Sequence, residues 1–100
     1  MKLSVIIPCY NEKDTIRELL ERVLSVDISP WEKEIIVIDD GSTDDTPAVC
    51  AEVQARNPSV VVRRHAENRG LVASCNEGLG MARGRKWLRL DADDELVGEG

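Results

Sequence analysis

Two aspartates one residue apart, Asp91 and Asp93, follow the stretch Trp87-Leu88-Arg89-Leu90. In an extended or turning segment, residues i and i+2 point the same way. Two carboxylates so placed make a hard, oxygen-only site for Mg2+ or Mn2+, with water and phosphate oxygens completing the shell. Like charges crowded at a strand end are costly unless a cation neutralises them. A solvated acidic loop is the plainer account of such a pair taken alone. The case for a metal rests on the strand before it and on two further polar clusters.

The first of these is Asp39-Asp40-Gly41-Ser42, which follows the apolar run Glu34-Ile35-Ile36-Val37-Ile38. A carboxylate there can accept from a base N–H or a ribose hydroxyl, and Gly41 lets the backbone turn. A simple helix-capping turn is the alternative. The other cluster is Pro8-Cys9-Tyr10-Asn11-Glu12, after Leu3 to Ile7. Tyr10 is the only tyrosine; its ring can stack on a nucleobase or serve ordinary packing. Glu12 is placed either at this site or as a cap of the helix that follows. Gly70, in Asn68-Arg69-Gly70, precedes a helix N-terminus, a natural seat for phosphate. Arg63-Arg64-His65 reads as a solvated edge.

The elements that must position these clusters follow from periodicity. Short β-branched or apolar runs at 3–7, 34–38, 60–62 and 87–90 read as strands, the first closed by Pro8. Ile16, Leu19, Leu20, Val23 and Leu24 recur at helical spacing behind Asp14-Thr15, with Glu18 placed as a capping partner. A second helix follows Thr43 to Asp45, with Pro47 in its first turn and Val49, Ala51, Val53 and Ala55 as its apolar side. A third runs from Leu71 to Ala82, with Gly78 and Gly80 as close-packing points and Gly84 as its stop. Strict alternation of strand and helix implies a parallel sheet with right-handed crossovers and helices on both faces. Ligands bind such sheets outside the carboxyl ends of the strands. With the first strand central and the third at an edge, so that the polar ends of the first, second and fourth strands meet around one ligand, the expected order is third, second, first, fourth.

Length and composition bound the rest. At 100 residues the chain is one small domain, expected to be marginally stable alone. With 42% hydrophobic residues, 3% aromatics and no Phe, its core must be aliphatic. Nineteen acidic against 13 basic residues, net charge -6, argues against nucleic acid as a partner. Cys9, Cys50 and Cys75 form no CxxC pair, which disfavours zinc and suits core thiols in a reducing cytosol. No apolar run approaches the ~18–20 residues that span a bilayer. The run after Lys2 is broken by Pro8 and Asn11-Glu12, so it is a strand and not a signal peptide.

Three segments together resemble the hallmark sequences of family 2 glycosyltransferases. These are Ser4-Val5-Ile6-Ile7-Pro8-Cys9-Tyr10-Asn11-Glu12, Ile38-Asp39-Asp40-Gly41-Ser42-Thr43-Asp44 and Leu90-Asp91-Ala92-Asp93-Asp94. Asn68-Arg69-Gly70-Leu71, Asn76-Glu77-Gly78-Leu79 and Ala82-Arg83-Gly84 are similar to that family's third-helix region. The resemblance covers nearly the whole chain, in order. It implies an α/β, three-layer, Rossmann-like GT-A half, with a mostly parallel sheet of order 3-2-1-4. It implies that Pro8, Tyr10 and Glu12 line a nucleotide pocket, that Asp40 reads the base beside Asp39, and that Gly70 and Asp91 also contact the nucleotide. Asp91 and Asp93 would hold Mn2+ or Mg2+ on the diphosphate of a nucleotide diphosphate-sugar donor.

The activity so implied is metal-dependent sugar transfer with inversion, of the kind used in cell-wall or polysaccharide biosynthesis. The acceptor would be a polysaccharide, a lipid phosphate or a protein. The family's general base lies in a second half, so it is expected beyond residue 100, and residues 1–100 are expected to be the first part of a longer domain. The location expected is the cytoplasm, with the longer protein peripheral at the inner face of the membrane. An uncovered fourth strand would favour self-association. Two departures stand out: Cys75 replaces a residue that is often basic in the family, leaving Arg69 or Arg83 to serve the diphosphate, and Arg89 interrupts an apolar strand. The competing readings are a receiver-like phospho-signalling domain and a catalytically inactive nucleotide-binding fragment.

Overall fold

The computed structural model describes residues 2–90, so Asp91 and Asp93 lie outside the described residues. Four strands, β1 (Lys2–Cys9), β2 (Glu32–Asp39), β3 (Val60–Arg64) and β4 (Lys86–Arg89), alternate with the helices α1 (Ile16–Ser25), α2 (Thr46–Arg56) and α3 (Leu71–Met81). The strands form one parallel sheet of order β3-β2-β1-β4, the order expected from the polar strand ends. Chain direction across the sheet reverses between β1 and β4, and that switch point is where parallel sheets open a ligand crevice.

The two central strands are buried on both faces. Val5, Ile7, Cys9, Ile35 and Val37 point to one side, where they form an aliphatic core with Ile16, Leu19, Leu20 and Val23 of α1 and Cys50 and Val53 of α2. On the other side α3 lies against the sheet through Ser74 and Gly78, the buried residues of that helix. A Cβ on Gly78 would come within 2.5 Å of Ile6 Cγ2, so the helix can sit this close only with glycine there. Gly80 differs: its Cβ would meet nothing, and it is not a packing point. Gly84 is not the helix stop, since α3 ends at Met81 with Ala82 as its cap. Gly84 instead lies against β1, where a Cβ would fall 2.5 Å from the Lys2 carbonyl.

Pro8 does not close β1, which continues to Cys9 along β2. It ends the pairing with β4. Leu90 donates its N–H to the Ile6 carbonyl at 2.9 Å. In a parallel ladder the Leu90 carbonyl would next accept from residue 8, and proline has no N–H to give. The β1–β4 register accordingly stops at Ile6 and Arg89.

Two helix details depart from expectation. Thr15 precedes α1 without a side-chain cap bond. Its hydroxyl donates to the Glu12 carboxylate at 3.0 Å, while Glu18 pairs with Arg22 one turn on. At the far end of α1, Lys33 Nζ reaches the carbonyls of Val23 (2.6 Å), Leu24 (3.0 Å) and Val26, so a strand residue caps this helix. In α2 the buried positions are Thr46, Cys50 and Val53, whereas Ala51 and Ala55 are exposed. Residues two apart cannot share a helical face, and the stripe obeys the three-to-four spacing. No helix among the described residues is long and apolar enough to cross a membrane.

Candidate functional site

The loops after β1 and β2 are laced together by side chains acting on backbone. Asn11 adopts a left-handed conformation with φ 51°, which Asn tolerates better than most residues. Its N–H donates to Ser42 Oγ at 2.9 Å, and its Oδ1 accepts from the N–H groups of Thr43 (2.7 Å) and Asp44 (3.3 Å). The Glu12 N–H donates to Thr46 Oγ1 at 2.9 Å. This lacing fixes the turn that carries Tyr10, whose side chain is 44% exposed with its ring available at the carboxyl edge of the sheet. Pro8 is buried at the end of β1, two residues before Tyr10. Sequence reasoning passed over Asn11 as a positioning residue. An Asn between a buried strand and a helix was the available signal.

The acidic pair after β2 divides into two roles. Asp39 is wholly buried, and its Oδ1 accepts from the Ser42 N–H at 3.1 Å, holding the turn. Its Oδ2 has no hydrogen-bond partner among the described residues, with Arg64 Nε 3.9 Å away. Asp40 is 5% exposed and gathers donors from three directions. Its Oδ1 accepts from the Arg69 N–H (2.7 Å) and faces His65 Nδ1 (2.8 Å), and its Oδ2 accepts from the Gly70 N–H (2.8 Å). A carboxylate has about four acceptor sites, so one on Oδ2 stays open. Burial alone would raise the Asp40 pKa, but the bonds from His65, Arg69 and Gly70 outweigh it and hold the carboxyl below its ordinary range.

His65 overturns the reading of residues 63–65 as a solvated edge. The two arginines do reach solvent, but His65 is 4% exposed. Its Nδ1 faces Asp40 and its Nε2 faces Glu77 of α3. Glu77 is also paired with Arg63 at 3.1 Å. The bonds to Asp40 and Glu77 raise the His65 pKa, and His65 in turn lowers that of Glu77. Local polarity could not reveal this, because both partners come from distant segments.

Gly70 stands just before α3 with φ 96°, and a Cβ there would meet nothing, so the approach to this helix N-terminus is open. Gly41, at φ 78°, lies against the same loop, where a Cβ would fall 2.7 Å from the Asn68 nitrogen. Arg69 is therefore at the carboxyl edge of the sheet. Arg83 is at the opposite edge: its N–H donates to Glu34 at 2.9 Å, next to the buried Ser4–Glu34 bond, so it cannot serve a diphosphate at the strand ends. α3 runs antiparallel to the strands, which separates its two flanking arginines by the length of the helix.

Two of the three thiols lie in the core. Cys9 and Cys50 are buried and Cys75 is half-buried, all unpaired. Contact with the Cys50 thiol and burial push the Cys9 pKa up, so this thiol stays protonated and unreactive. No group of three or more His, Cys, Asp or Glu able to hold a metal occurs among the described residues. Leu90, which leads into Asp91, stands beside β1 at the same edge as Tyr10.

Comparison with known proteins agrees with this arrangement. The family model "Glycosyl transferase family 2" matches residues 4–99. The dolichol-phosphate mannosyltransferase of Pyrococcus furiosus is 38% identical over 93 residues, which cover 93% of this chain and 26% of that protein. The mannosyltransferase PcManGT of Pyrobaculum calidifontis, solved with GDP-Man and Mn2+, superposes with a TM-score of 0.84 at 31% identity, over 91% of this chain and 27% of that one. S. aureus TarS 1–349, solved with UDP-GlcNAc, gives 0.78 at 34% identity, over 93% and 27%. The chain thus spans about a quarter of the length of the relatives it matches. A receiver-like sheet would place the first strand between the second and the third, whereas here β1 lies between β2 and β4. With its sheet order, its laced strand-end loops and a family match along almost all its length, the chain belongs to glycosyl transferase family 2.

Proposed function

We propose that this chain is the donor-binding part of an inverting, metal-dependent glycosyltransferase that takes its sugar from a nucleotide diphosphate-sugar. The observation that carries the reading is the meeting of Tyr10, Asp40 and the Gly70 loop at the carboxyl edge of the sheet, beside the switch point. The exposed Tyr10 ring stacks on the base. The open acceptor site on Asp40 takes a base N–H or ribose hydroxyl, while Asp39 and Pro8 shape the floor and Glu12 the wall. Arg69 and the open N-terminus of α3 attract the diphosphate. Asp91 and Asp93 would hold Mn2+ or Mg2+, which would supply electrostatic stabilisation to a nucleoside diphosphate leaving group. The general base and the acceptor site belong to the longer protein, which we place at the cytoplasmic face of the membrane. Relatives solved with GDP-Man and with UDP-GlcNAc support a nucleotide-sugar donor and leave the base open.

Calorimetric titration of the chain with a panel of nucleoside diphosphates, with and without Mn2+, tests the proposal. Binding of one diphosphate, strengthened by Mn2+, is expected. Failure of every nucleotide to bind under both conditions would overturn it.

A further inference from the structure

Of the buried titratable groups that the donor-site reading leaves unused, His65 is the one bonded to Asp40. Both of its ring nitrogens face carboxylate oxygens, Asp40 from the end of β2 and Glu77 from α3. A carboxylate can only accept, so the ring satisfies both neighbours only when both nitrogens carry protons. In a neutral ring one nitrogen lone pair would face a carboxylate at hydrogen-bond distance, which is repulsive. The charged groups around it come from every neighbouring element. They are Asp40 and the Asp39–Arg64 pair at the β2–β3 edge, Arg63 bonded to Glu77, and Arg69 on the loop before α3, which opposes the ring's charge. The Asp40 carboxylate that His65 holds also holds the Arg69 and Gly70 amides.

We infer that His65 is a positioning residue for donor recognition: as an imidazolium it orients Asp40, and through Asp40 the Arg69-Gly70 turn, in the geometry that receives the nucleotide. The inference rests on the donor-site reading above and extends it to a residue that touches no ligand. Asp40 keeps the Arg69 and Gly70 amides as donors whereas Glu77 keeps only Arg63, so Nδ1 is the nitrogen that gives up its proton; its lone pair then faces Asp40, which turns away and loosens the loop. Nucleotide affinity then falls as pH rises through the His65 pKa, which the two carboxylates place above its ordinary value of 6.5.

The test compares wild type with three variants of the full chain, titrated with GDP and UDP in the presence of a metal chelator, from about pH 6 to about pH 9. Ligand phosphates titrate identically against all four proteins, so differences between the curves report the protein. Asn places its amide nitrogen where His has Nδ1, and Gln where His has Nε2. His65→Asn therefore keeps the donor to Asp40 and should bind as wild type does at low pH, without the fall at high pH. His65→Gln loses that donor and should bind about tenfold more weakly throughout. Glu77→Gln removes one stabilising charge and should move the midpoint of the fall to lower pH. Wild-type and His65→Asn curves of the same shape would overturn the inference. A second readout needs no ligand: the Arg69 and Gly70 amide resonances should titrate with His65 in wild type and not in His65→Asn. Should no nucleotide bind wild type, the donor-site reading fails, and these resonances alone decide whether His65 orders the turn; amides that ignore the His65 titration count against it.

Discussion

Tyr10 and Asp40 sit side by side in the proposed site, but substituting them tests different things. Tyr10 is 44% exposed, so little packing depends on its ring. Tyr10→Ala should weaken nucleoside diphosphate binding by ~1–3 kcal/mol with little change in melting temperature. Titration calorimetry and a thermal scan on one sample check both parts. Asp40→Ala should weaken binding too, but it also strands a buried imidazolium and two amides. Breaking a buried charged pair costs about 3–5 kcal/mol, so a large loss of stability should accompany it. Urea unfolding in which Asp40→Ala matches wild type would show that the carboxylate is not the anchor the geometry makes it. For the proposed metal pair, Asp91→Asn and Asp93→Asn should each remove the gain in nucleotide affinity that Mn2+ brings, while the fold persists. Undiminished Mn2+ dependence in both variants would refute that assignment.

At the scale of elements, α3 makes a paired test. Gly78 is pressed against Ile6, while Gly80 faces open space on the same helix. Gly78→Ala must push the helix off the sheet and should cost about 1–3 kcal/mol. Gly80→Ala should stabilise by roughly 0.5–1 kcal/mol, because it lowers the entropy of the unfolded chain and meets no neighbour. Denaturant midpoints moving in opposite directions would confirm how closely α3 lies on the sheet. Equal shifts would mean that it packs elsewhere. Lys33 offers a separate check at α1. Lys33→Met leaves three C-terminal carbonyls without their cation and should cost about 1–2 kcal/mol.

For the whole molecule, the Asp40–His65–Glu77 cluster sets a pH window. His65 has a raised pKa when folded, so its contribution is complete below 6.5 and is lost as pH climbs through the folded value. Asp40 and Glu77 have lowered pKa values, so theirs are complete above 3.8 and 4.5 and vanish as the solution is acidified past the folded values. Stability from this cluster should therefore be greatest between 4.5 and 6.5, which melting temperatures across that range would show. Association is the other property of the whole. β4 pairs on one side only among the described residues, with Trp87 at 55% and Leu88 at 45% exposure. Exposed apolar strand edges recruit partners, so the 100-residue chain should self-associate with rising concentration. Sedimentation showing a monomer throughout, or association unaffected by Trp87→Lys, would count against this edge as the contact.

Much of the architecture was legible before any fold was known, because it rests on period and order. Alternating strand and helix patterns imply a parallel sheet, and with the first strand central and the third at an edge the meeting of the polar strand ends gives the order observed. The aliphatic core was readable for the same reason, whereas the lack of a side chain at both Gly78 and Gly80 did not say that only Gly78 meets the sheet. What the sequence could not determine was how distant side chains pair. His65 looked solvated because its neighbours in sequence are arginines, yet its partners lie 25 and 12 residues away. Lys33 caps a helix that ended before its own strand began. Arg83 looked equivalent to Arg69 until the direction of α3 put them at opposite edges of the sheet. Hydrophobic patterning is a local, averaged signal, and a one-dimensional chain displays it. Hydrogen bonds between specific atoms depend on ångström-scale geometry that exists only after the sheet has closed and the helices have docked, and that geometry decided the buried charges around the site.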